Sequence, residues 1–110
     1  MIFKISPRAE WKKVRESYSG SAHDKRDGFI HFSTASQLMG TLEKHYAGQD
    51  DLLLIAVDEN ALGDALKFEP SRGGELFPHL YATLPLSAVR WTQAIKRGAK
   101  GGFLLPSGVN

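Results

Sequence analysis

The chain has 110 residues, of which 42% are hydrophobic and 24% charged, as expected for one soluble globular domain spanning residues 1–110. It contains no cysteine, which excludes disulfides, thiolate nucleophiles and cysteine-bound zinc. The longest apolar run, residues 52–57, is far too short to span a membrane. The N-terminus also lacks the apolar segment of a signal peptide. We therefore expect a cytoplasmic protein with no membrane association; the sequence gives no indication of oligomeric state.

The formal net charge is only +2, but the charges are distributed unevenly. Residues 76–110 contain no carboxylate and four basic residues, Arg90, Lys96, Arg97 and Lys100. Such an end could contact phosphates. No aromatic residues are interleaved in the pattern of RNA-binding motifs. A solvated surface is therefore the favoured interpretation, and a nucleic-acid partner is not expected.

In chain order, the first third of the sequence predicts a strand, a helix, a loop and a strand. Residues 2–5 alternate as in a strand. A helix over residues 7–17 follows from Ser6 as N-cap and the near-helical spacing of its apolar residues. The polar, glycine-containing segment 18–26 predicts a loop, and residues 28–32 are rich in strand-forming residues.

A second helix over residues 35–47 has an apolar stripe and ends at Gly48. Residues 51–58 are continuously apolar at their centre, which predicts a central strand covered on both faces. The remaining predictions, in order, are a helical turn at 60–66, a strand at 66–69, a turn at 70–74, an extended segment at 77–83, one turn at 86–88, a strand at 89–95 and an edge strand at 103–105.

This mixed order predicts an α+β fold, with a bent or split, mostly antiparallel sheet and two or three helices. No glycine fingerprint follows the first strand, so a dinucleotide-binding Rossmann fold is excluded.

The first candidate site is the segment DGFIHFST, residues 27–34. In an extended strand Phe29, His31 and Ser33 share one face, opposite the apolar Ile30 and Phe32. Imidazole and hydroxyl groups can bind vicinal hydroxyls or a phosphate. Ser33 and the following Thr34 precede a helix, whose first N–H groups favour an anion. Alternatively, Thr34 or Ser33 is only a helix cap and His31 only a half-buried histidine.

The second candidate site is the segment SRGGELFPHLYA, residues 71–82. Arg72 lies in a glycine-rich turn and could bind a phosphate or carboxylate bidentately. Glu75 could act as a general base or bind a ribose hydroxyl. His79 is the best candidate for proton transfer, and Tyr81 shares its face if the segment is extended. Alternatively, Arg72 and Glu75 form only a surface ion pair.

His31 and His79 stand in the same local pattern, with an aromatic residue two positions before and a hydroxyl residue two positions after. The other two histidines, His23 and His45, lack this pattern and are assigned to a charged loop and a helix surface. His31, His79 and a carboxylate could together form a metal site. No two histidines have short ligand spacing, so no metal is predicted.

Three long segments, residues 18–42, 50–63 and 66–89, resemble a widespread bacterial family known as domain of unknown function 952. The resemblance covers nearly all of residues 1–95 and includes the ordered motifs DGFIHFS and GGELFPHLY. One departure is Ala82, where the family often has glycine after the tyrosine.

The family is grouped with the ADP-ribosyltransferase-like fold, a split, bent antiparallel sheet with an NAD cleft. The resemblance implies that His31 binds the ribose of NAD, with Ser33 and Thr34 near the nicotinamide ribose. It makes Glu75 the catalytic carboxylate and gives no counterpart for His79 or Tyr81. The implied ligand is NAD, as substrate, or an ADP-ribose or nucleotide-type molecule.

Two hypotheses are favoured over a third, a nucleic-acid-binding module that uses Arg90, Lys96, Arg97 and Lys100. The first is a transferase or glycohydrolase that uses NAD; the second is a non-catalytic domain that binds a metabolite or peptide in the same cleft. The predicted catalytic residues are Glu75 and His79, and the predicted ligand-binding residues are Phe29, His31, Ser33, Thr34, Arg72 and Tyr81. Both hypotheses require His31 and His79 to line one pocket.

Overall fold

The apolar run predicted as a central strand forms β4 (Leu52–Val57), and every residue in it is buried. In the computed structural model, which describes residues 1–109 apart from the side chain of Arg72, β4 lies between two antiparallel neighbours. These are β1 (Ile2–Pro7) and β8 (Val89–Arg97). A short strand, β9 (Phe103–Leu104), pairs with the far edge of β8. The prediction for β4 is confirmed.

The two faces of β4 belong to two separate apolar clusters, because successive side chains of a strand point to opposite sides. Leu53, Ile55 and Val57 pack into one cluster with Ile30 and Phe32. The other three residues of β4 pack with side chains of the helix α3 (Leu38–His45). The larger sheet is therefore covered on both faces.

A second sheet has the order β3 (Ile30–His31), β6 (Leu76–Leu80), β5 (Leu66–Pro70), and all its pairings are antiparallel. It meets the first sheet where Phe3 and Ser33 exchange two backbone hydrogen bonds, each 2.9 Å long. A two-stranded ribbon of β2 (Ser17–Tyr18) and β7 (Leu84–Pro85) completes the strands. The predicted α+β fold with a split, bent antiparallel sheet is confirmed.

Three α-helices accompany the strands: α1 (Arg8–Trp11), α2 (Ala22–Asp27) and α3. The remaining helical segments are 3₁₀ turns at Ala35–Gln37, Glu59–Ala61, Gly63–Ala65, Arg72–Gly74 and Leu86–Ala88. No helix within residues 1–109 is long and apolar enough to cross a membrane.

The predicted helix over residues 7–17 is wrong in its extent. Pro7 is the last residue of β1 and pairs with Leu52, so the helix begins only at Arg8. It ends at Trp11, and the chain becomes extended again at Ser17, where β2 pairs with β7. The near-helical spacing instead places Trp11 and Val14 against the apolar cluster that includes Ile30.

The predicted loop over residues 18–26 is wrong over its second half, which belongs to the helix α2 (Ala22–Asp27). Ser21 and Asp24 form a capping box, in which each side chain accepts a hydrogen bond from the other residue's backbone N–H. Gly28 ends the helix with φ of 87°, a left-handed conformation that favours glycine. The helix is polar except for its first residue, so periodicity could not detect it.

The buried position of β4 generates a stability prediction. Leu54→Ala should lower the free energy of unfolding by about 2–5 kcal/mol, because Leu54 is fully buried and its removal leaves a cavity. Urea unfolding followed by circular dichroism measures the change. Leu104→Ala is the control, since 52% of that side chain is exposed and little should be lost. Equal effects of the two substitutions would contradict this account of the core.

Candidate functional site

A cavity of about 520 Å³ lies where the two sheets meet, between β1, β3, α2 and α3. This volume is in the range of sites that bind small molecules, roughly 300–1,000 Å³. All four histidines of the chain line it: His23, His31, His45 and His79. Such a gathering of imidazoles makes this cavity the candidate site.

A buried ion pair lies in the cavity lining. Lys4 Nζ is 2.7 Å from one carboxylate oxygen of Asp24 and 3.0 Å from the other, and the two side chains are 4% and 2% exposed. Burial lowers the pKa of Lys4, and the neighbouring carboxylate opposes that shift. Burial also acts to raise the pKa of Asp24, but hydrogen bonds from His31 and Lys4 outweigh it and hold that pKa well below its ordinary value.

Asp24 also positions His31. Its Oδ1 atom is 2.6 Å from the ring Nδ1 of His31 and accepts a hydrogen bond from the His31 backbone N–H at 3.1 Å. The second ring nitrogen, Nε2, is 2.9 Å from Oδ2 of Asp27. Both nitrogens of this imidazole therefore face carboxylates, and the ring orientation is fixed.

His79 pairs directly with His31 across β6 and β3, and the two ring centroids are 5.6 Å apart. Its Nδ1 is 2.8 Å from Oε1 of Glu69, which also accepts a hydrogen bond from the Tyr81 hydroxyl at 2.7 Å. These hydrogen bonds, that from Tyr81 foremost, lower the pKa of Glu69. Phe29 stacks on His79 with a centroid distance of 4.0 Å. His31 and His79 thus line one cavity, and each is held through Nδ1 by its own carboxylate.

The two hydroxyl residues after His31 have different surroundings. Ser33 is buried and lines the cavity, and its Oγ is 3.0 Å from Oγ1 of Thr41. Thr34 does not line the cavity. Its backbone N–H donates to Oε1 of Gln37 at the start of the 3₁₀ turn, so it is a helix-capping residue.

Two tyrosines in the cavity lining differ in their hydrogen bonds. The Tyr46 hydroxyl donates to the carbonyl of Ile5 at 3.3 Å, and burial raises the pKa of Tyr46 to about 12. The Tyr18 hydroxyl is buried and forms no hydrogen bond of standard geometry with the described residues, although the Asp24 carboxylate is close enough to interact with it weakly. Burial, and then the charge of Asp24, raise the pKa of Tyr18. A buried hydroxyl without a good hydrogen bond is costly, so Tyr18 leaves an unsatisfied polar group in the cavity lining.

The remaining predicted residues lie outside the cavity lining. Glu75 is exposed on the loop between β5 and β6, and its carbonyl accepts a hydrogen bond from the Ser71 N–H. Phe29 packs against the rings of both His31 and His79, and Tyr81 contacts the site through Glu69. The predicted contact of Arg72 with a phosphate concerns a side chain outside the described residues.

Several residues of the site, in the cavity lining or in contact with it, were not predicted from the sequence. Lys4 had a signal, because a lysine inside an otherwise apolar strand needs a buried partner. Asp24 also had one, since a serine three positions before it forms the start of a capping box. For Glu69 and Tyr18, the periodicity of the sequence gave no signal of a role in the site. His23 and His45 were assigned to surface positions, and their side chains are exposed at the cavity.

The fold and the site together define a small α+β domain with a histidine-lined cavity at the junction of two antiparallel sheets. Residues 5–92 match the family model described as Protein of unknown function (DUF952). The chain belongs to this family. The predicted family is confirmed, whereas the implied relation to ADP-ribosyltransferases stays a prediction.

Solved structures of protein CC0527 from Caulobacter crescentus are similar to this chain. Its crystal structure is 44% identical, with a TM-score of 0.87, over 94% of this chain and 92% of that one. Its solution NMR structure is 45% identical, with a TM-score of 0.81, over 92% and 89% of the two chains. None of the curated proteins matches significantly. These similarities support the fold and the family and bring no activity with them.

The buried ion pair generates a second stability prediction. Asp24→Asn should lower the free energy of unfolding by about 3–5 kcal/mol, because it leaves the charge of Lys4 buried without its counter-ion. The control is Arg8→Gln, which removes the exposed pair of Arg8 with Asp51 and should have little effect. Urea unfolding measures both. A tolerated Asp24→Asn would contradict the structural role of the pair.

Proposed function

We propose that the cavity binds a small nucleotide-type metabolite, NAD or an ADP-ribose-containing molecule. The observation that carries the proposal is that four histidines and the buried Lys4 line one cavity. Imidazole N–H groups and hydroxyls bind phosphates and ribose hydroxyls, and Lys4 contributes through its ion pair with Asp24, which positions His31. The family resemblance supports the same ligand class, since it gives His31 the position of a ribose-binding histidine.

The other lining groups suit the parts of such a ligand. Ser33 and Tyr18 offer hydroxyls, and Tyr18 gains the partner that it lacks. Phe32 and Phe77 contribute apolar surface against which a base can pack. For Arg72 we keep the role predicted from the sequence, contact with a phosphate. Phe29 and Tyr81 act indirectly, through their contacts with His79 and Glu69.

Proton transfer, if the protein is an enzyme, is assigned to His79. Its Nδ1 is held by Glu69, which leaves Nε2 as the atom that exchanges a proton with a ligand. Glu75 contacts a ligand in this proposal only where the ligand extends beyond the cavity. A transferase or glycohydrolase requires turnover of NAD, whereas the alternative, a non-catalytic binding domain, does not. The fixed ring of His31 and the outlying position of Glu75 favour the alternative.

Titration of ¹⁵N-labelled protein with NAD, ADP-ribose and AMP tests the proposal. We expect amide shifts in residues 29–34 and 73–81, with ADP-ribose and NAD stronger than AMP, because they offer a second ribose and a pyrophosphate. An assay for nicotinamide released from NAD, measured by chromatography, distinguishes the two hypotheses: an enzyme releases nicotinamide and a binding domain does not. No amide shift at millimolar concentrations of any of the three ligands would overturn the proposal.

The unpaired Tyr18 hydroxyl allows a sharper prediction. Tyr18→Phe should raise the free energy of unfolding by about 1 kcal/mol, because it removes a buried hydroxyl without a partner. The same substitution should weaken binding of ADP-ribose by roughly tenfold, the equivalent of one hydrogen bond. Thermal unfolding and calorimetric titration measure the two effects.

Tyr46→Phe is the matched control, because Tyr46 lines the same cavity but already donates to Ile5. It should lower stability by about 1 kcal/mol. If Tyr18→Phe destabilises the protein as much as Tyr46→Phe and leaves affinity unchanged, the hydroxyl has no ligand-binding role.

A further inference from the structure

Three potential metal ligands meet beside the cavity: His23, Asp27 and His31, called here the His–Asp–His cluster. One donor atom of each lies within 4.8 Å of the other two. We propose that this cluster binds a divalent transition-metal ion, with Zn²⁺ as the reference ion. The ligands are Nε2 of His23, Oδ2 of Asp27 and Nε2 of His31.

Local folding brings the three side chains together. His23 and Asp27 are four residues apart on α2 and therefore share one face of the helix. Gly28, with its left-handed φ of 87°, turns the chain so that β3 follows directly. His31, four residues after Asp27, then returns to the same helix face. A search for short spacing between two histidines misses this arrangement, because its helical pair is a histidine with an aspartate.

The distances fit a metal site. A tetrahedral zinc ion with ligands at about 2.0–2.1 Å separates neighbouring ligand atoms by about 3.3 Å. Oδ2 of Asp27 is 3.5 Å from Nε2 of His23 and 2.9 Å from Nε2 of His31, values on either side of that distance. The donor atoms of His23 and His31 lie within 4.8 Å of each other, so small side-chain adjustments can bring all three ligands around one ion.

The surroundings of His31 resemble the support that metal-binding histidines receive. Such a histidine commonly donates its other ring N–H to a carboxylate, which fixes the ring and its tautomer. Asp24 contacts Nδ1 of His31 at 2.6 Å, and Lys4 in turn holds Asp24. This arrangement leaves Nε2 as the atom that faces the other two ligands.

The donor set selects the class of ion. Two imidazole nitrogens and one carboxylate oxygen suit Zn²⁺ and its neighbours among the transition metals, and suit Mg²⁺ or Ca²⁺ poorly. His23 and His31 line the cavity, so a position left open on the ion is accessible to a ligand. The Arg26 guanidinium contacts Nδ1 of His23. When Nε2 of His23 binds the ion, Nδ1 carries the ring proton and cannot accept a hydrogen bond, so Arg26 must move. Its side chain is 70% exposed, so the movement meets little resistance.

Calorimetric titration of the tag-free, EDTA-treated protein with Zn²⁺ and Co²⁺ tests the cluster. We expect one ion per chain, with no binding of Mg²⁺ under the same conditions. His23→Gln and Asp27→Asn should each weaken binding at least roughly tenfold. Both ligands are exposed, so these variants should remain folded. Asp64→Asn, which removes an exposed carboxylate outside the cluster, is the matched control and should bind as the wild type does.

Long-range ¹H–¹⁵N spectra of the imidazoles identify the coordinating atoms directly. On addition of Zn²⁺ the Nε2 signals of His23 and His31 should shift together, and those of His79 should not. The inference is overturned if neither Zn²⁺ nor Co²⁺ binds, or if His23→Gln and Asp27→Asn bind as tightly as Asp64→Asn. The inference does not depend on the proposed nucleotide ligand, because the metal ions alone are the probes.

Discussion

The site depends above all on the buried ion pair between Lys4 and Asp24. Lys4 comes from the edge strand of the larger sheet, and Asp24 from the polar helix α2. Two buried charges are stable in a protein interior only when they meet in good geometry with further hydrogen bonds. Asp24 has those hydrogen bonds, from the Ser21 backbone N–H and from the backbone and ring of His31. The pair thus attaches α2 to the sheet and fixes the first histidine of the cavity.

The second histidine is held by the same kind of contact. Glu69 lies on β5, next to β6, and its carboxylate contacts Nδ1 of His79 just as that of Asp24 contacts Nδ1 of His31. The cavity therefore presents two oriented imidazoles from paired strands. Such preorganisation lowers the cost of binding a ligand, because few side chains need to be ordered on contact.

Much of this fold could be predicted from the sequence, and the physical reasons are specific. β4 was predictable because its buried run is long and continuous, and α3 because its apolar stripe has a helical period. The helix α2 was missed because it is short and polar. The helix α1 was overextended because Pro7 belongs to β1 and because the chain leaves the helix after Trp11 to form β2. The hydrophobic periodicity of a sequence reveals helices and strands that bury an apolar face. It misses elements that are held in place by single polar contacts.

The site could likewise be predicted only in part from the sequence. Strand alternation placed His31 and Ser33 on one face, and the antiparallel pairing of β3 with β6 brought His79 beside them. The partners Asp24 and Glu69 come from other elements, 7 and 10 residues away from the histidines that they orient. No local period relates such residues. The network of carboxylates therefore became visible only in three dimensions.

The junction between the two sheets has a mechanical consequence. Among residues 1–109, the ladder of strand pairs passes from one sheet to the other only at Phe3 and Ser33. Phe3 and Ser33 also line the cavity, so the junction forms part of its wall. Side chains of both sheets, among them Ile55 and Ile30, share one buried apolar cluster that holds the sheets together. The packing that sets the angle between the sheets therefore also sets the width of the cavity.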